Sequence, residues 1–272
     1  MRVERKVSFP KGKRLAVSVH FPVEWWTTPD ADDQARYHQE YGAKTGAWRL
    51  LDMFDRTGVK ATSHMNGIIA ELFPDLAREI VGRGHDIAGH SYDQSHPQHM
   101  LPEEDERQVV QKTLEKIETV TGLRPRGWVS SGRNLGKNTV KILAEEGLAW
   151  HNHHDMGDLP TIVKVGDKTI VDYPIQRYMN YNERKFIGWS GNQIRSCDEI
   201  FTFFKGQLKA LRGAAQYEPL CFQFGSHSHM SGLPAYAWTV QEMILHALSF
   251  DDVWFVTTGE LAQYWLDHNA ED

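Results

Sequence analysis

The sequence predicts an α/β fold of parallel strands and crossover helices, either a distorted β/α barrel or an open doubly wound sheet. One local design occurs three times, at residues 58–62, 84–88 and 147–150: an amphipathic helix ends at a glycine and a short apolar strand follows. Strands that alternate with helices in this way form parallel sheets. The chain has 272 residues, and single β/α barrels have roughly 250. No helix opens with a Gly-x-Gly-x-x-Gly or Gly-Lys-Ser/Thr motif, which disfavours the nucleotide-binding open sheets.

The individual elements follow from hydrophobic periodicity and from proline and glycine signals. Apolar strands are predicted at residues 14–19, 61–63, 220–224 and 253–257, and helices at residues 45–57, 74–83, 102–121, 137–146, 198–212 and 237–249. The longest helix begins with Pro102 and three acidic residues and stops at Gly122. A strand-turn-strand unit at residues 161–172 interrupts the alternation, so we expect an irregular barrel there.

Composition restricts the class of protein and its partners. With 40% hydrophobic and 24% charged residues, the chain can bury one large core, and we predict a single domain over residues 1–272. The net charge of -6 gives no basic footprint, so nucleic acid and anionic membranes are poor partners. Neither an apolar signal region nor a run of about 18 apolar residues occurs, which favours a cytoplasmic protein. Cys197 and Cys221 are too few and too far apart for a disulfide framework or a metal knuckle.

Histidines at strand ends are the main functional signal. His20, His90, His151 and His227 each lie at or just beyond the carboxyl end of a predicted strand, and in a barrel these ends converge on one mouth. Any one of them alone is more simply a hydrogen-bonded wall residue, but together they favour an active site. Four further histidines are interpreted as surface residues or neighbours of this site, with metal binding as the alternative: His96, His99, His153 and His154.

Motifs along nearly the whole chain resemble the polysaccharide deacetylase (NodB-homology) superfamily, and within it the allantoinase-like and cyclic-imidase-like branch. The resemblance implies a distorted (β/α)7-type barrel and hydrolysis of an amide C–N bond, often with a divalent metal bound by an Asp-His-His set. It rests on the order and spacing of Tyr41-Gly42 with Gly46-Ala47-Trp48-Arg49, of the segments 84–92 and 124–128, of Gly157-Asp158-Leu159-Pro160, and of residues 227–234.

The family's metal-binding pattern is incomplete in this chain. Where the family usually places two aspartates, this sequence has His20 and Pro22, so an acidic role passes to Glu24. The second family histidine is replaced by Gln94, four residues after His90. Zinc in a catalytic site takes three protein ligands plus water, and only His90 remains of the three that the resemblance implies. We therefore expect no metal or a weakly bound divalent metal, zinc if any, with His90 as its ligand.

Two mechanisms are compatible with these residues. In the metal-free one, Glu24 or His20 is the general base that activates water, and His227 protonates the leaving nitrogen. His229 competes with His227 for the acid role. In the metal-dependent one, Glu24 and His90 bind an ion together with His96 or His20, and the ion activates the water. The alternative for Glu24 is an ordinary solvated loop carboxylate.

The remaining predicted site residues concern the substrate. The resemblance places Trp128 and Ser130 at a substrate-contacting strand end, where an aromatic wall would suit a flat ring; core packing is the alternative for Trp128. Asp158 binds a substrate amide or caps a turn, and His229, where it is not the acid, is predicted to contact the substrate. Sugar-acting relatives often carry an arginine where Val129 stands, so we favour a small cyclic amide, imide or ureide. The alternatives are a metal-dependent N-deacetylase of a sugar or peptidoglycan, and a non-catalytic, lyase or isomerase barrel.

The tryptophans suggest assembly. The chain has nine, and Trp25, Trp26, Trp189 and Trp238 fall in segments predicted as loops or helix starts. Large exposed aromatics are enriched at protein interfaces. Since relatives in the allantoinase-like branch form homo-oligomers, we expect a homodimer or homotetramer that acts on a small-molecule substrate.

Overall fold

The computed structural model describes residues 7–27, 39–95, 98–152, 157–174, 196–225 and 227–269. Its nine strands in these ranges are β1 Leu15–Val23, β2 Thr62–Met65, β3 Asp86–Gly89, β4 Gly127–Val129, β5 Trp150–Asn152, β6 Thr161–Val165, β7 Lys168–Tyr173, β8 Leu220–Gly225 and β9 Val253–Phe255. Its α-helices are α1 Ala47–Thr57, α2 Gly67–Leu72, α3 Pro74–Gly82, α4 Glu103–Thr121, α5 Thr139–Glu145, α6 Cys197–Ala215, α7 Ser228–Ser231, α8 Pro234–Leu248 and α9 Thr258–Asn269. A π-helical turn, Gly42–Gly46, precedes α1.

The strands form one sheet in the order β6-β7-β5-β4-β3-β2-β1-β8, with β9 pairing to β1. All pairs are parallel except β6 with β7. Strand β1 is shared, because β9 pairs with its first half and β2 with its second half. Among the described strands the order runs from β6 to β8 without closing into a ring. The described strands thus form a distorted barrel that is not closed and is irregular at the antiparallel β6–β7 unit, which confirms the predicted α/β fold.

Strand and helix boundaries agree with the sequence prediction to within a few residues. The longest helix, α4, spans Glu103–Thr121 and ends at Gly122, whose φ of 72° is the left-handed cap that glycine adopts readily. The prediction ended β1 too early: the strand continues to Val23 and contains His20. The pairing of β1 with β8 ends at His20, so Pro22 interrupts no hydrogen bond to β8.

Side chains along the strands alternate between the barrel interior and the helix layer. Odd-numbered residues of β1, such as Val17 and Phe21, lie in the main apolar core with α1, α3, α6 and α8. Trp128 of β4 packs against α4 and α5 in a second cluster. Trp150 faces the interior, and a Cβ on Gly127 would lie 1.9 Å from its ring. Glycine at 127 therefore permits this indole to cross the neighbouring strand.

The amino end of β3 is fixed by the half-buried acid Asp86. Asp86 Oδ2 accepts hydrogen bonds from the backbone N–H of Gly259, in the first turn of α9, at 3.0 Å and from the Thr62 hydroxyl at 3.3 Å. Burial raises the pKa of Asp86, against the hydrogen bonds from Gly259 and Thr62. A carboxylate at a helix amino terminus is electrostatically favourable, so Asp86 holds the last helix against β2 and β3 at the opposite end of β3 from His90.

The predicted exposed tryptophans divide into different environments. Trp25 packs on the core beside Phe73, with ring centroids 5.5 Å apart. Trp26 is half-buried, and Trp238 on α8 is 63% exposed. Trp189 lies outside the described residues. The oligomeric state stays a prediction. No described helix combines the length and hydropathy needed to cross a bilayer.

We predict that His85 makes the fold acid-sensitive. Its Nδ1 accepts the Ala61 N–H at 3.1 Å, and burial, with a contribution from Lys60, lowers the pKa of His85 from 6.5 to about 4. Since the unfolded chain binds this proton more readily, stability is fully present above pH 6.5 and falls as the pH drops toward about 4. The unfolding temperature as a function of pH measures this. His85→Asn should flatten the dependence, whereas the exposed control His268→Asn should retain it; equal slopes in all three proteins would contradict the assignment.

Candidate active site

The carboxyl ends of β1, β3 and β8 bring a carboxylate and two histidines together. Glu24 follows β1, His90 follows β3 and His227 lies just beyond β8, at the start of α7. Because parallel strands end at the same edge of a sheet, these three residues converge although 203 positions separate the first from the last. Three of the residues selected from the sequence therefore form one cluster.

Glu24 lies between the two imidazoles. Its Oε1 is 2.8 Å from His90 Nε2 and its Oε2 is 3.0 Å from His227 Nε2. The side chain of Glu24 is 9% exposed, that of His90 6% and that of His227 21%. The alternative of a solvated loop carboxylate does not match this geometry, and His227 is the member of the cluster that solvent and ligands can reach most easily.

The hydrogen bonds indicate the charge state of the cluster. Burial raises the pKa of Glu24, but the charge and hydrogen bonds of His227 and His90 outweigh it and hold this pKa well below its ordinary value. Glu24 is thus a carboxylate. His90 Nδ1 lies 2.5 Å from the Val129 carbonyl while Nε2 faces Glu24. Both neighbours are acceptors, so an imidazolium that donates from both nitrogens satisfies the arrangement.

A second pair of histidines lies beside this cluster inside the barrel. The rings of His20 and His64 stack with centroids 4.9 Å apart and an interplanar angle of 6°. His64 is also 6.0 Å from the His90 ring, centroid to centroid. Both rings are buried. The sequence analysis missed His64, although it directly follows the strand predicted at residues 61–63 and satisfies the same strand-end criterion as the others.

Close backbone packing fixes the loop that carries His227. A Cβ on Gly46 would lie 2.1 Å from the Ser228 carbonyl oxygen, and one on Gly232 would lie 2.3 Å from the Gly46 Cα. Arg49 donates to the Gly232 carbonyl and, at 2.8 Å, to the Tyr41 hydroxyl. The motif at residues 41–49 therefore positions α7, and with it His227.

Two predicted site residues face the helix layer and not the barrel interior. Trp128 is fully buried in the cluster with Val110 and Leu114 of α4, so core packing, not substrate contact, is what the structure shows. His151 pairs in register with Trp128 and lies on the same face of the sheet. Its Nδ1 is 3.7 Å from Asp172 Oδ1. The prediction of His151 at the mouth was wrong because strand alternation turns it toward the helices.

The other predicted residues have diverse positions. His229 lies next to His227, with ring centroids 5.4 Å apart. Ser130 is buried directly after Val129, whose carbonyl contacts His90. Asp158 is exposed, and its carbonyl accepts the N–H of Cys221 at 3.0 Å. The substrate roles of these three stay predictions. His99 lies in a short 3-10 helix, and His96, His153 and His154 lie outside the described residues.

The residues at the family's metal position do not fit a metal ion. Both ring nitrogens of His90 are engaged, Pro22 offers no side-chain donor, and the Gln94 amide donates to the His90 carbonyl at 3.3 Å. Within the described part of the chain, no three His, Cys, Asp or Glu residues are grouped so that they could bind a metal. We therefore derive no catalytic step through a metal.

The fold is similar to that of polysaccharide deacetylases, as comparisons with known structures show. The polysaccharide deacetylase family profile matches residues 32–151. A polysaccharide deacetylase homologue from Mycobacterium smegmatis is 27% identical, with a TM-score of 0.85 over 95% of this chain and 92% of that one. An allantoinase with 23% identity and a TM-score of 0.82 shares the fold over 96% and 93% of the chains.

Curated deacetylases are similar to this chain over part of its length. A curated relative, the peptidoglycan deacetylase of Helicobacter pylori, is 29% identical over 140 residues, which are 50% of this chain and 47% of that protein. The match thus spans about half the length of this relative. Deacetylases of the family are hydrolases that act on C–N bonds other than peptide bonds.

We predict that the purified protein retains well below one divalent ion per chain after dialysis. The reason is that His90 is hydrogen-bonded to Glu24, and the Gln94 amide to the backbone. Elemental analysis of the dialysed protein measures this. The double variant Pro22→Asp with Gln94→His restores two family ligand positions and is the positive control, expected to retain more zinc. Recovery of one zinc or other transition ion per wild-type chain would contradict the prediction.

Proposed function

We propose that this protein is a hydrolase that cleaves a non-peptide C–N bond in a small cyclic amide, imide or ureide. The observation that carries the proposal is the Glu24 carboxylate held between His90 and His227. Hydrolysis of an amide needs a group that accepts a proton from water and another that gives a proton to the leaving nitrogen. A carboxylate and an imidazolium in contact supply both.

Glu24 is the general base in this proposal. In the resting site His227 is the main influence that lowers the pKa of Glu24, while burial raises it. When His227 turns to a bound substrate, its contribution to lowering this pKa is lost, and the carboxylate becomes a stronger base. Glu24 then accepts a proton as the water oxygen bonds to the substrate carbonyl carbon. His20, the other base considered from the sequence, stacks on His64 instead.

His227 is the general acid. As the C–N bond breaks, its imidazolium transfers a proton to the leaving nitrogen and becomes neutral. The proton on Glu24 then passes to His227 across their 3.0 Å contact, which restores the starting charges. The cycle consumes one water and needs no other proton donor. His90 keeps its bond to the second oxygen of Glu24 and orients the carboxylate throughout.

The choice of substrate class rests on three observations. The family hydrolyses C–N bonds, and the allantoinase shares the fold. The departure from the Asp-His-His set favours the metal-free mechanism over a metal-dependent deacetylase. A second candidate is N-deacetylation of a sugar or peptidoglycan substrate, favoured by the match to the Helicobacter pylori enzyme.

A substrate panel distinguishes the candidates. We expect the wild-type protein, in the presence of a chelator, to hydrolyse members of a set of hydantoins, cyclic imides and ureides, measured by product release. Glu24→Gln preserves the shape of the side chain but removes its charge, and it should lower kcat by roughly 10²–10⁴. Turnover only of N-acetyl sugars, and only with added zinc or cobalt, would favour the second candidate. No difference between wild type and Glu24→Gln on any compound would favour a non-catalytic barrel.

Adjacent histidine variants assign the general acid. His227→Ala should lower kcat by a factor of roughly 10²–10⁴ with little loss of stability, because this half-buried ring is the proposed proton donor. His229→Ala, two residues away, is the matched control and should have a much smaller effect. If the two effects are reversed in folded proteins, the acid role belongs to His229.

A further inference from the structure

Asn66 connects the two segments that carry Glu24 and His90. It follows β2 and is fully buried. Its Oδ1 accepts the N–H of Trp25, the residue after Glu24, at 2.8 Å. Its Nδ2 donates to the carbonyl of His90 and, at 3.3 Å, to that of Ser91. The Asn66 amide thus joins the backbone that follows Glu24 to the backbone of His90 and Ser91.

Asn66 makes these bonds instead of capping a helix, which is the usual role of an asparagine at its position. Asn66 stands at the N-cap position of α2, where an asparagine normally accepts a helix N–H, yet its side chain makes no cap bond. The N–H groups of Gly67 and Ile68 bond instead to the carbonyls of Ser91 and Tyr92 at 3.0 Å each. The start of α2 is therefore built onto the segment that follows β3.

The same segment contains an unusual backbone conformation. Ser91 has a φ of 63°, which is uncommon for a residue other than glycine. Its carbonyl accepts from Gly67 N–H and from Asn66 Nδ2, so these bonds stabilise the turn that directs His90 toward Glu24. Gln94 N–H adds a bond to the Trp25 carbonyl at 2.9 Å.

We propose that Asn66 is a positioning residue for the reaction, and that it sets the contact between Glu24 and His90 without touching the substrate. The proposal rests on the proposed function for its kinetic consequence, but the geometry it concerns exists without substrate. Loss of the Asn66 amide frees the Glu24 segment from the His90 segment, so the carboxylate no longer has one fixed orientation.

The test uses Asn66→Ala and Asn66→Asp in the full chain. The aspartate is nearly isosteric and still accepts the Trp25 N–H, but it has no proton for the His90 carbonyl, so it remains informative if the alanine variant fails to fold. We expect kcat to fall about 10- to 100-fold with little change in KM. In the wild type we expect a downfield proton resonance from His90 Nε2–H, assigned by its loss in His90→Gln, and in both Asn66 variants this resonance should weaken or disappear.

Asp86→Ala is the matched control, because it removes another hydrogen-bonded polar side chain, half-buried, with backbone and hydroxyl partners at the far end of β3. It should lower the unfolding temperature and leave kcat and the His90 resonance as in wild type. Folded Asn66 variants with wild-type kcat and an unchanged resonance would overturn the proposal. A lost resonance in a chain whose wild type hydrolyses nothing would support the positioning role while the proposed function fails.

Discussion

The site depends on one buried carboxylate that is stabilised by two imidazoles. Removing Glu24 from water is costly unless charges and hydrogen bonds compensate, and His90 and His227 supply both at 2.8 and 3.0 Å. Because the three residues come from the ends of β1, β3 and β8, this arrangement requires the parallel barrel to be in register. A one-residue shift in any of these strands would turn its contribution toward the helix layer.

The scaffold around the cluster uses direct backbone contacts on both sides. On the side of β8, the missing side chains of Gly46 and Gly232 let two turns approach closely, and Arg49 ties them together. On the side of β1 and β3, the Asn66 side chain and the Gln94 N–H bond the segment after Glu24 to the one after His90. Rigid support of this kind holds charged groups in a reactive geometry better than long flexible side chains would.

Much of this could be read from the sequence, and the failures have a physical reason. Glycine-ended helices and short apolar strands predicted the fold. The strand-end criterion selected His90 and His227, and the family resemblance selected Glu24. The strand-end criterion failed for His151, and the resemblance failed for Trp128, because short strands give too few residues to determine which face points inward; their register with one another shows that both face the helices. Asn66 could not be found, since its role depends on two backbone segments that only the fold brings together.

The charge at this site links the missing ligands to the proposed chemistry. In a metal-dependent relative of this type, a bound cation provides positive charge beside the reacting groups. Here Pro22 and Gln94 stand where the resemblance implies metal ligands, and the positive charge beside Glu24 comes from imidazoles. An imidazole, unlike a metal ion, can release its charge as a proton. His227 can therefore stabilise Glu24 in the resting site and then donate the same proton to a leaving nitrogen. The surrounding structure has to meet two requirements for this: His227 must be able to move, and Glu24 must stay in a fixed position.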